Sequence, residues 1–301
     1  MPHESSIKTV AFVGLGTMGF PMAGHLAKAG YAVRVYNRHP DKAQRWAEQY
    51  VGTVCSSPKE AAQGSQCVMM CVGNDDDVRS VVYGDDGILA GLEAGGVLVD
   101  HTTTSALLAQ ELAQACETRG IQFVDAPVSG GQSGAEKGVL TVLCGGNETV
   151  VDRILGVLQA YSEAINYFGP AGYGQRAKMV NQICIAGLVQ ALSEAIAFGM
   201  NAQLPMEKVM PALGLGAAGS WQMLNRSSTM MKGEFDFGFA VDWMRKDLGI
   251  ALEEAKRNGS SLPVTAIVDQ LYAQVQADGH GRWDTSSLIT RLPHPKEDAK
   301  S

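Results

Sequence analysis

The chain has 301 residues, of which 46% are hydrophobic and 18% charged, and this composition excludes a disordered or fibrous protein. Lysine and arginine total 24 against 31 aspartates and glutamates, a net charge of -7, and no basic run stands out, so nucleic acid is not a predicted partner. The length exceeds the usual size of a single core, so two domains or one large α/β unit are expected.

The N-terminal segment and the cysteines bear on the compartment. MPHESSIKTVAFVG lacks a basic stretch followed by a long apolar one, and no apolar run approaches the length that spans a bilayer. We therefore predict no membrane association and a cytoplasmic protein. The six cysteines form no CxxC pair and lie mostly in apolar runs such as VMMCV and NQICIAGLV, which predicts reduced thiols in the core and no metal site.

Between Thr9 and about Gly169, short apolar runs alternate with helix-like segments. The runs are TVAFV, YAVRVY, CVMMCV, GVLVD, FVDAPV, LTVLCG and INYFG. This alternation predicts a mainly parallel sheet wrapped by helices.

Beyond Gly174 the pattern changes. QRAKMVNQICIAGLVQALSEAIAFGMNAQ has no proline and carries apolar residues on all sides, which predicts a long buried helix. Further helices are predicted over MEKVMPALGL, SWQMLNRSSTMM, AVDWMRKDLGIALEEAKRNG and LPVTAIVDQLYAQVQADG. The predicted organisation is an α/β dinucleotide-binding domain, residues 1–169, followed by an all-helical domain, residues 170–301.

The first strand leads directly into a GxGxxG loop that opens a helix. The loop consists of Gly14, Leu15, Gly16, Thr17, Met18 and Gly19. Gly14 permits a tight turn, Gly16 lets the backbone approach a pyrophosphate, and Gly19 permits close helix packing, while the helix N-terminus offers N–H groups and a partial positive charge. Because strand, loop, helix and second strand follow in register, we predict a dinucleotide site rather than an ordinary glycine-rich turn.

The end of the second strand indicates which dinucleotide is bound. An NAD site usually places an acid there for the ribose 2′-hydroxyl, but this chain has Asn37 and Arg38. An arginine can pair with a 2′-phosphate, and the missing carboxylate removes the repulsion against one. NADP(H) is therefore the predicted cofactor, with NAD(H) as the alternative; a solvated surface arginine is the plainer interpretation.

Three further stretches are candidates for chemistry. In DAPVSGG, Ser129, Gly130 and Gly131 follow a predicted strand and could aim N–H groups and a hydroxyl at a carboxylate, or could form a simple turn. Lys178 and Asn181 share one face of the long helix with Gln182, and a lysine in so apolar a helix must reach water, pair or lose its charge. Lys246 lies within a predicted helix, and spacing alone favours an exposed charge.

Together these stretches resemble the β-hydroxyacid dehydrogenase family, which includes 3-hydroxyisobutyrate dehydrogenase, tartronate semialdehyde reductase and the glyoxylate/succinic semialdehyde reductases. The resemblance covers nearly the whole chain. It rests on VGLGTMGFPMAGHLAKAG, DAPVSGG followed by GAEKGVLTVLCGG, GYGQRAKMVNQ and RKDLGIALEEAK, in the family's order and spacing. It implies a Rossmann domain followed by a helical domain like that of 6-phosphogluconate dehydrogenase, an active site in the cleft between them, and homodimers or homotetramers.

The resemblance also implies roles for single residues. Lys178 matches the family's catalytic lysine, residues 129–131 its substrate-carboxylate loop, and Asn181 a substrate-orienting amide. Thr103, in DHTTTS, matches a cofactor contact near the nicotinamide, and Lys246 matches a residue that reaches cofactor or substrate, contrary to the exposed position that spacing favours.

The implied activity is reversible hydride transfer between NADP(H) and a small carboxylate-bearing aldehyde or the matching hydroxy acid. Gln182 departs from the Lys-x-x-Asn-Asn pattern of the 3-hydroxyisobutyrate enzymes and is more like the tartronate semialdehyde reductases. Two alternatives stay open: an imine reductase, which usually has aspartate or tyrosine where Lys178 stands, and a non-catalytic NADPH-binding module.

Overall fold

The computed structural model describes residues 7–295. The chain forms two compact units that divide between Lys178 and Met179, inside one long helix. The domain boundary predicted at 169/170 lies a few residues before that helix and stays a prediction.

A sheet forms the centre of the first unit. Within residues 7–295 it has nine strands: β1 Thr9–Val13, β2 Ala32–Tyr36, β3 Thr53–Val54, β4 Cys67–Met70, β5 Val97–Asp100, β6 Gln122–Asp125, β7 Val128–Ser129, β8 Leu140–Gly146 and β9 Ser162–Tyr167. Their order is β3-β2-β1-β4-β5-β6-β8-β7, with β9 also pairing β8. The first six strands in this order, β3-β2-β1-β4-β5-β6, run parallel to one another. Strand β8 is antiparallel to β6 and β7, and β9 is parallel to β8. The predicted, mainly parallel sheet is confirmed.

Eight helices accompany the sheet in the described part of the first unit. They are α1 Gly19–Lys28, α2 Pro40–Gln49, α3 Pro58–Ala62, α4 Asp75–Val82, α5 Ile88–Gly91, α6 Ala106–Glu117, α7 Gly131–Lys137 and α8 Glu148–Leu158. Alternate residues of β1 enter different cores: Val10 and Phe12 pack in one cluster, Ala11 and Val13 in the other. A strand buried on both faces explains why TVAFV is continuously apolar instead of alternating.

Two details of this sheet differ from the sequence prediction. FVDAPV was predicted as one strand, but it divides into β6 and β7 at Ala126 and Pro127. Proline has no N–H to contribute to a ladder, and only its carbonyl is used, accepting from Leu143 N at 3.0 Å. The two-residue strand β3 was not predicted, because so short a run has no periodicity to detect.

Helix α9, Tyr173–Asn201, begins in the first unit and continues into the second. The second unit then contains α10 Met206–Gly214, α11 Trp221–Lys232, α12 Val241–Asn258, α13 Pro263–Ala277 and a 3₁₀ helix, Thr285–Arg291. Its cores are built around Ala186 and Val189 of α9 with Met244 and Leu248 of α12, and around several methionines of α10 and α11. The all-helical prediction is confirmed, and the 3₁₀ helix is an addition to it.

The prediction that α9 is buried on all sides is only partly correct. Val180 is 61% exposed and Phe198 73% exposed, and Cys184 is exposed as well. Residues 180 and 198 are five helical turns apart and therefore share a face. Four of the predicted core thiols are buried, whereas Cys71 is partly exposed and Cys184 is a surface thiol.

Helix α9 also modifies the expectation that no run could span a membrane. By length and composition this helix could span a bilayer, with a mean hydropathy of 1.7 in its most apolar 18-residue window. Of that window 44% is buried within the protein, and core helices of soluble proteins meet the same criterion. The helix is therefore weak grounds for membrane insertion.

Candidate active site

The glycine-rich loop joins β1 to α1 at the carboxyl edge of the parallel strands. Gly14 has a φ of +95°, and a Cβ there would collide with the carbonyl of Cys71. A Cβ at Gly19 would likewise collide with the carbonyl of Gly14. At Gly16, by contrast, a Cβ would meet no described atom within 4 Å. The fold itself requires glycine at 14 and 19, whereas Gly16 borders open space.

The N-terminus of α1 has no side-chain cap, and the same holds for α2, α5, α7, α10, α12 and α13. Helices α3, α4, α6, α8 and α11 each begin with a serine or asparagine whose side chain accepts a backbone N–H. The residue before α1 is Met18, which makes no such bond, and Thr17 is exposed. Uncapped N–H groups and the helix dipole favour an anion, so this end of α1 fits a pyrophosphate.

Asn37 and Arg38, at the end of β2, have different surroundings. Asn37 Oδ1 accepts from Leu15 N at 2.8 Å and Asn37 Nδ2 donates to His39 O at 3.0 Å, so this amide braces the glycine loop. The Arg38 side chain is 71% exposed and pairs with Asp77, Nη1 to Oδ1 at 3.0 Å. A 2′-phosphate would compete with Asp77 for this guanidinium.

The DHTTTS loop after β5 is attached to the start of α9. Gln175 is fully buried; its Oε1 accepts from Thr104 N at 3.0 Å and its Nε2 donates to Thr102 O at 2.8 Å. Thr103 lies between these anchored residues and is partly exposed. The loop and the helix are therefore held as one piece on either side of Thr103.

His101 supports the same loop from within the core. Its Nδ1 donates to Ala126 O at 2.6 Å, so Nε2 is the acceptor for the Tyr161 hydroxyl at 2.9 Å. Burial lowers the pKa of this imidazole to about 4 from 6.5, because the charged form is poorly solvated. The ring is accordingly a neutral brace at physiological pH.

Asp125, the last residue of β6, connects the sheet to α9. Its buried carboxylate accepts from Gly172 N at 2.7 Å and from Gln175 N at 2.9 Å, which caps the helix. Burial raises the pKa of Asp125 and these backbone N–H groups oppose the increase. The position of α9 is thus tied to the strand that leads into the DAPVSGG loop.

The DAPVSGG loop presents its glycines at the surface. Gly130 and Gly131 have φ values of 126° and 61°, which residues with a Cβ rarely adopt, and both are exposed. They form the start of α7, which has no side-chain cap. Ser129 precedes them and is partly exposed. The loop therefore offers a hydroxyl and uncapped backbone N–H groups to solvent.

Lys178 follows Gln175 by three residues and is the last residue of the first unit. It is only 8% exposed, so it is a buried lysine, not a solvated one at a helix start. Through α9, Lys178 is fixed to the anchored DHTTTS loop and to Asp125. The loops after β1, β2, β5 and β6 all leave the same edge of the sheet, where open α/β folds bind ligands.

The second unit holds a separate polar cluster. Asn181 Nδ2 donates to Gln182 Oε1 at 2.8 Å, and Gln182 Nε2 donates to Asp247 Oδ2 at 2.6 Å. Lys246 Nζ lies 3.2 Å from Asp247 Oδ1, in an ion pair without hydrogen-bond geometry. The Lys246 side chain is 21% exposed, so the fully exposed charge that spacing favours is wrong.

Three residues of these arrangements were given no role from the sequence: Asp125, Gln175 and Asp247. Asp125 interrupts an apolar strand, whereas Gln175 and Asp247 stand beside charged residues in the sequence, and all three are buried here. A buried polar group needs a partner, so such positions are a usable signal. The partners themselves come from distant segments and have no sequence signature.

Known proteins match this chain along almost all of its described length. The NAD binding domain of 6-phosphogluconate dehydrogenase matches residues 9–169, and the NAD-binding domain of NADP-dependent 3-hydroxyisobutyrate dehydrogenase matches residues 172–292. The chain belongs to the β-hydroxyacid dehydrogenase family.

Individual members of the family are similar over most of their length. An oxidoreductase of Shewanella frigidimarina is 59% identical over 94% of this chain and 97% of its own. A protein of Arabidopsis thaliana named probable 3-hydroxyisobutyrate dehydrogenase-like 1, mitochondrial, is 41% identical over 94% of this chain and 84% of its own. The structure of 3-hydroxyisobutyrate dehydrogenase from Mycobacterium tuberculosis with L-serine is 30% identical, with a TM-score of 0.85 over 95% of this chain and 99% of that one.

Membership of this family has direct consequences. The chain is an NAD(P)-dependent oxidoreductase that acts on CH–OH groups, of the hydroxyacid dehydrogenase class. Its first unit is a Rossmann-like domain that binds a nicotinamide cofactor, and its C-terminal part is the helical domain of this family.

Proposed function

We propose that this protein is an NADP(H)-dependent β-hydroxyacid dehydrogenase, or semialdehyde reductase, in which Lys178 is the general acid and base. Its substrate is a small aldehyde that carries a carboxylate, or the matching hydroxy acid. The observation that carries the proposal is the buried Lys178, held by Gln175 and Asp125 beside the loops that leave the carboxyl edge of the sheet.

The substrate carboxylate would be held by residues 129–131. Exposed, uncapped N–H groups at the start of α7 and the Ser129 hydroxyl are donors suited to a carboxylate. The Mycobacterium tuberculosis relative has L-serine in its structure, and L-serine carries a carboxylate and a β-hydroxyl. This supports a substrate of the same class, with Asn181 orienting its reacting oxygen.

The cofactor would be held by the glycine loop and the neighbouring strand ends. The uncapped start of α1 and the open space beside Gly16 fit a pyrophosphate, and Arg38 has the charge for a 2′-phosphate. Thr103 and Lys246 are the proposed contacts nearer the nicotinamide. When bound, the cofactor accepts or supplies the hydride.

Lys178 would move the proton that accompanies this transfer. During oxidation its neutral amine would take the proton of the substrate hydroxyl, and during reduction its ammonium would return a proton to the carbonyl oxygen. Because Lys178 is buried, water has little access to take its place, and the bond from Gly172 N to Asp125 fixes the start of α9 to the strand that leads into the DAPVSGG loop.

The first test is a set of initial rates with NADPH and NADH on tartronate semialdehyde, succinic semialdehyde, methylmalonate semialdehyde and glyoxylate. We expect turnover of at least one acid, faster with NADPH. Lys178→Ala should lower kcat by a factor of about 10²–10⁴, the usual contribution of a positioned acid or base, while NADPH binding stays within about twofold. Near-normal turnover in that variant would remove Lys178 from the mechanism.

The alternatives have their own signatures in the same experiment. NADPH binding without turnover of any of these acids, but with reduction of a cyclic imine, would favour an imine reductase. NADPH binding with no turnover of either kind would favour a non-catalytic module. A buried lysine at 178 argues against both, because neither has a use for it.

We also propose a cytoplasmic homo-oligomer, either a dimer or a tetramer. The shared face of α9 exposes Val180 and Phe198, and Ile267 of α13 is 62% exposed. Large exposed apolar side chains are commonly covered by another subunit. Size-exclusion chromatography with light scattering gives the mass of the protein in solution directly, and the mass of a monomer would refute the proposal of an oligomer.

A further inference from the structure

Helix α7 connects the DAPVSGG loop to β8 and is short. It has seven residues, Gly131–Lys137, and no side chain caps its start. A helix of this length is not stable alone in water, so contacts with neighbouring elements must hold it in place. The position of residues 129–131, which lead into α7, therefore depends on what anchors this helix.

The far end of α7 is anchored by His25, a partly buried residue of α1. His25 Nε2 lies 3.0 Å from Ala135 O and 3.0 Å from Glu136 O. Carbonyl oxygens only accept, so Nε2 carries a proton and donates to both. These carbonyls belong to the last turn of α7, where the helix itself cannot satisfy every carbonyl. The imidazole therefore supplies, from α1, a donor that the end of this short helix lacks.

Two close approaches fit α7 to its neighbours. A Cβ at Gly138, directly after the helix, would lie 3.1 Å from Cε1 of the His25 ring, and φ there is +73°. Within the helix, a Cβ at Gly134 would lie 3.2 Å from Cδ2 of Leu140, a buried residue of β8. Helix α7 thus contacts the sheet through Gly134 and α1 through its last turn, and loss of the His25 bond would release the second of these contacts.

We propose that His25 is a positioning residue: by fixing the end of α7, it holds residues 129–131 where they bind the substrate carboxylate. This rests on the proposed function, in which those residues receive the carboxylate. His25 belongs to α1, the helix that begins at the glycine-rich loop, so one side chain joins the segment proposed for the cofactor to the segment proposed for the acid.

The expected effect is on binding of the acid and not of the cofactor. Without the bond, α7 is displaced in part of the molecules, and the apparent affinity for the acid falls with the fraction whose loop is in place. Loss of a hydrogen bond of ordinary strength corresponds to about a three- to tenfold change. The glycine-rich loop is held separately, since Leu15 N donates to Asn37 Oδ1 at 2.8 Å, so NADPH binding should stay the same.

The test uses two substitutions of matched length. His25→Met removes the donor, whereas the amide of His25→Gln places N–H groups near the position of Nε2. Initial rates are measured with the acid of the panel above that the unmodified enzyme reduces fastest. His25→Met should raise KM for that acid by about three- to tenfold, with kcat and KM for NADPH within about twofold, and His25→Gln should restore the original KM. His25→Leu is a second donor-free variant if His25→Met does not fold.

Hydrogen exchange gives a second readout, which needs no turnover. Followed by mass spectrometry on peptides that cover residues 131–138, exchange should be faster in His25→Met than in the unmodified protein, and unchanged in His25→Gln. Lys28→Met is the control for a methionine on α1, since the Lys28 ammonium lies instead over the ring of Tyr50, 5.5 Å from its centre. This control should change neither the exchange nor the KM for the acid.

Three results would overturn the inference. An unchanged KM for the acid in His25→Met would show that the loop does not depend on this bond. Equal increases in KM for the acid and for NADPH would mean a general loss of order in the first unit. A His25→Gln variant as impaired as His25→Met would mean that the ring and not its N–H is needed. If the unmodified enzyme reduces no acid of the panel, the proposed function fails and the role of His25 fails with it, even where hydrogen exchange confirms the bond.

Discussion

The buried His101 should make the stability of this protein fall on mild acidification. The folded protein holds the imidazole at a pKa of about 4, whereas an unfolded chain has about 6.5. Between these values the unfolded chain binds a proton that the folded chain does not, so the free energy of unfolding falls as the pH falls. The difference corresponds to about 3.4 kcal/mol below pH 4 and about 2 kcal/mol at pH 5.

The perturbation that isolates this contribution is His101→Asn. The variant loses the contact with Tyr161 and should be less stable than the unmodified protein at pH 7.5 by about 1–3 kcal/mol. Because asparagine does not titrate, its disadvantage should shrink by about 2 kcal/mol between pH 7.5 and pH 5. Urea unfolding followed by circular dichroism at pH 7.5, 6.5, 5.5 and 5.0 measures both.

The control is His39→Gln, which replaces an exposed histidine of the same unit without placing a favoured N-cap residue at the start of α2, and so measures the loss of a surface histidine. Two parallel curves for His101→Asn and the unmodified protein would refute the reasoning. They would mean that the pKa of His101 is the same in the folded protein as in the unfolded chain.

Two further predictions follow from the anchors of the site. Arg38→Ala should raise the KM for NADPH by about 10- to 100-fold, the range for a hydrogen bond to a charged group, and leave the KM for NADH within about twofold. The control in these kinetics is Arg45→Ala, which changes another exposed arginine, paired with Asp41. Equal increases in KM for both cofactors in Arg38→Ala would contradict the 2′-phosphate role. Asp125→Asn replaces one of two accepting oxygens with a donor that faces backbone N–H groups. We expect the free energy of unfolding, measured in urea, to fall by about 1–3 kcal/mol, and kcat to fall by a larger factor than NADPH binding. An unchanged kcat would show that the cap does not position Lys178.

The sequence by itself determines the local structure of this protein. Apolar runs such as TVAFV, serine and asparagine caps, and the GxGxxG spacing specify strands, helix starts and the loop between β1 and α1 through interactions between near neighbours. The same local logic fails for β3 and for the 3₁₀ helix Thr285–Arg291, which are too short or too irregular to carry a period.

Only the tertiary structure decides which polar groups meet. Asp125 accepts from a backbone N–H 47 residues away, His101 contacts a hydroxyl 60 residues away, and Gln182 reaches a carboxylate 65 residues away. The folding of strands and helices onto a common core brings such groups together, and the cost of burying them unpaired selects the arrangement. The sequence can indicate that a buried amide or acid needs a partner, but it does not specify which distant segment supplies that partner.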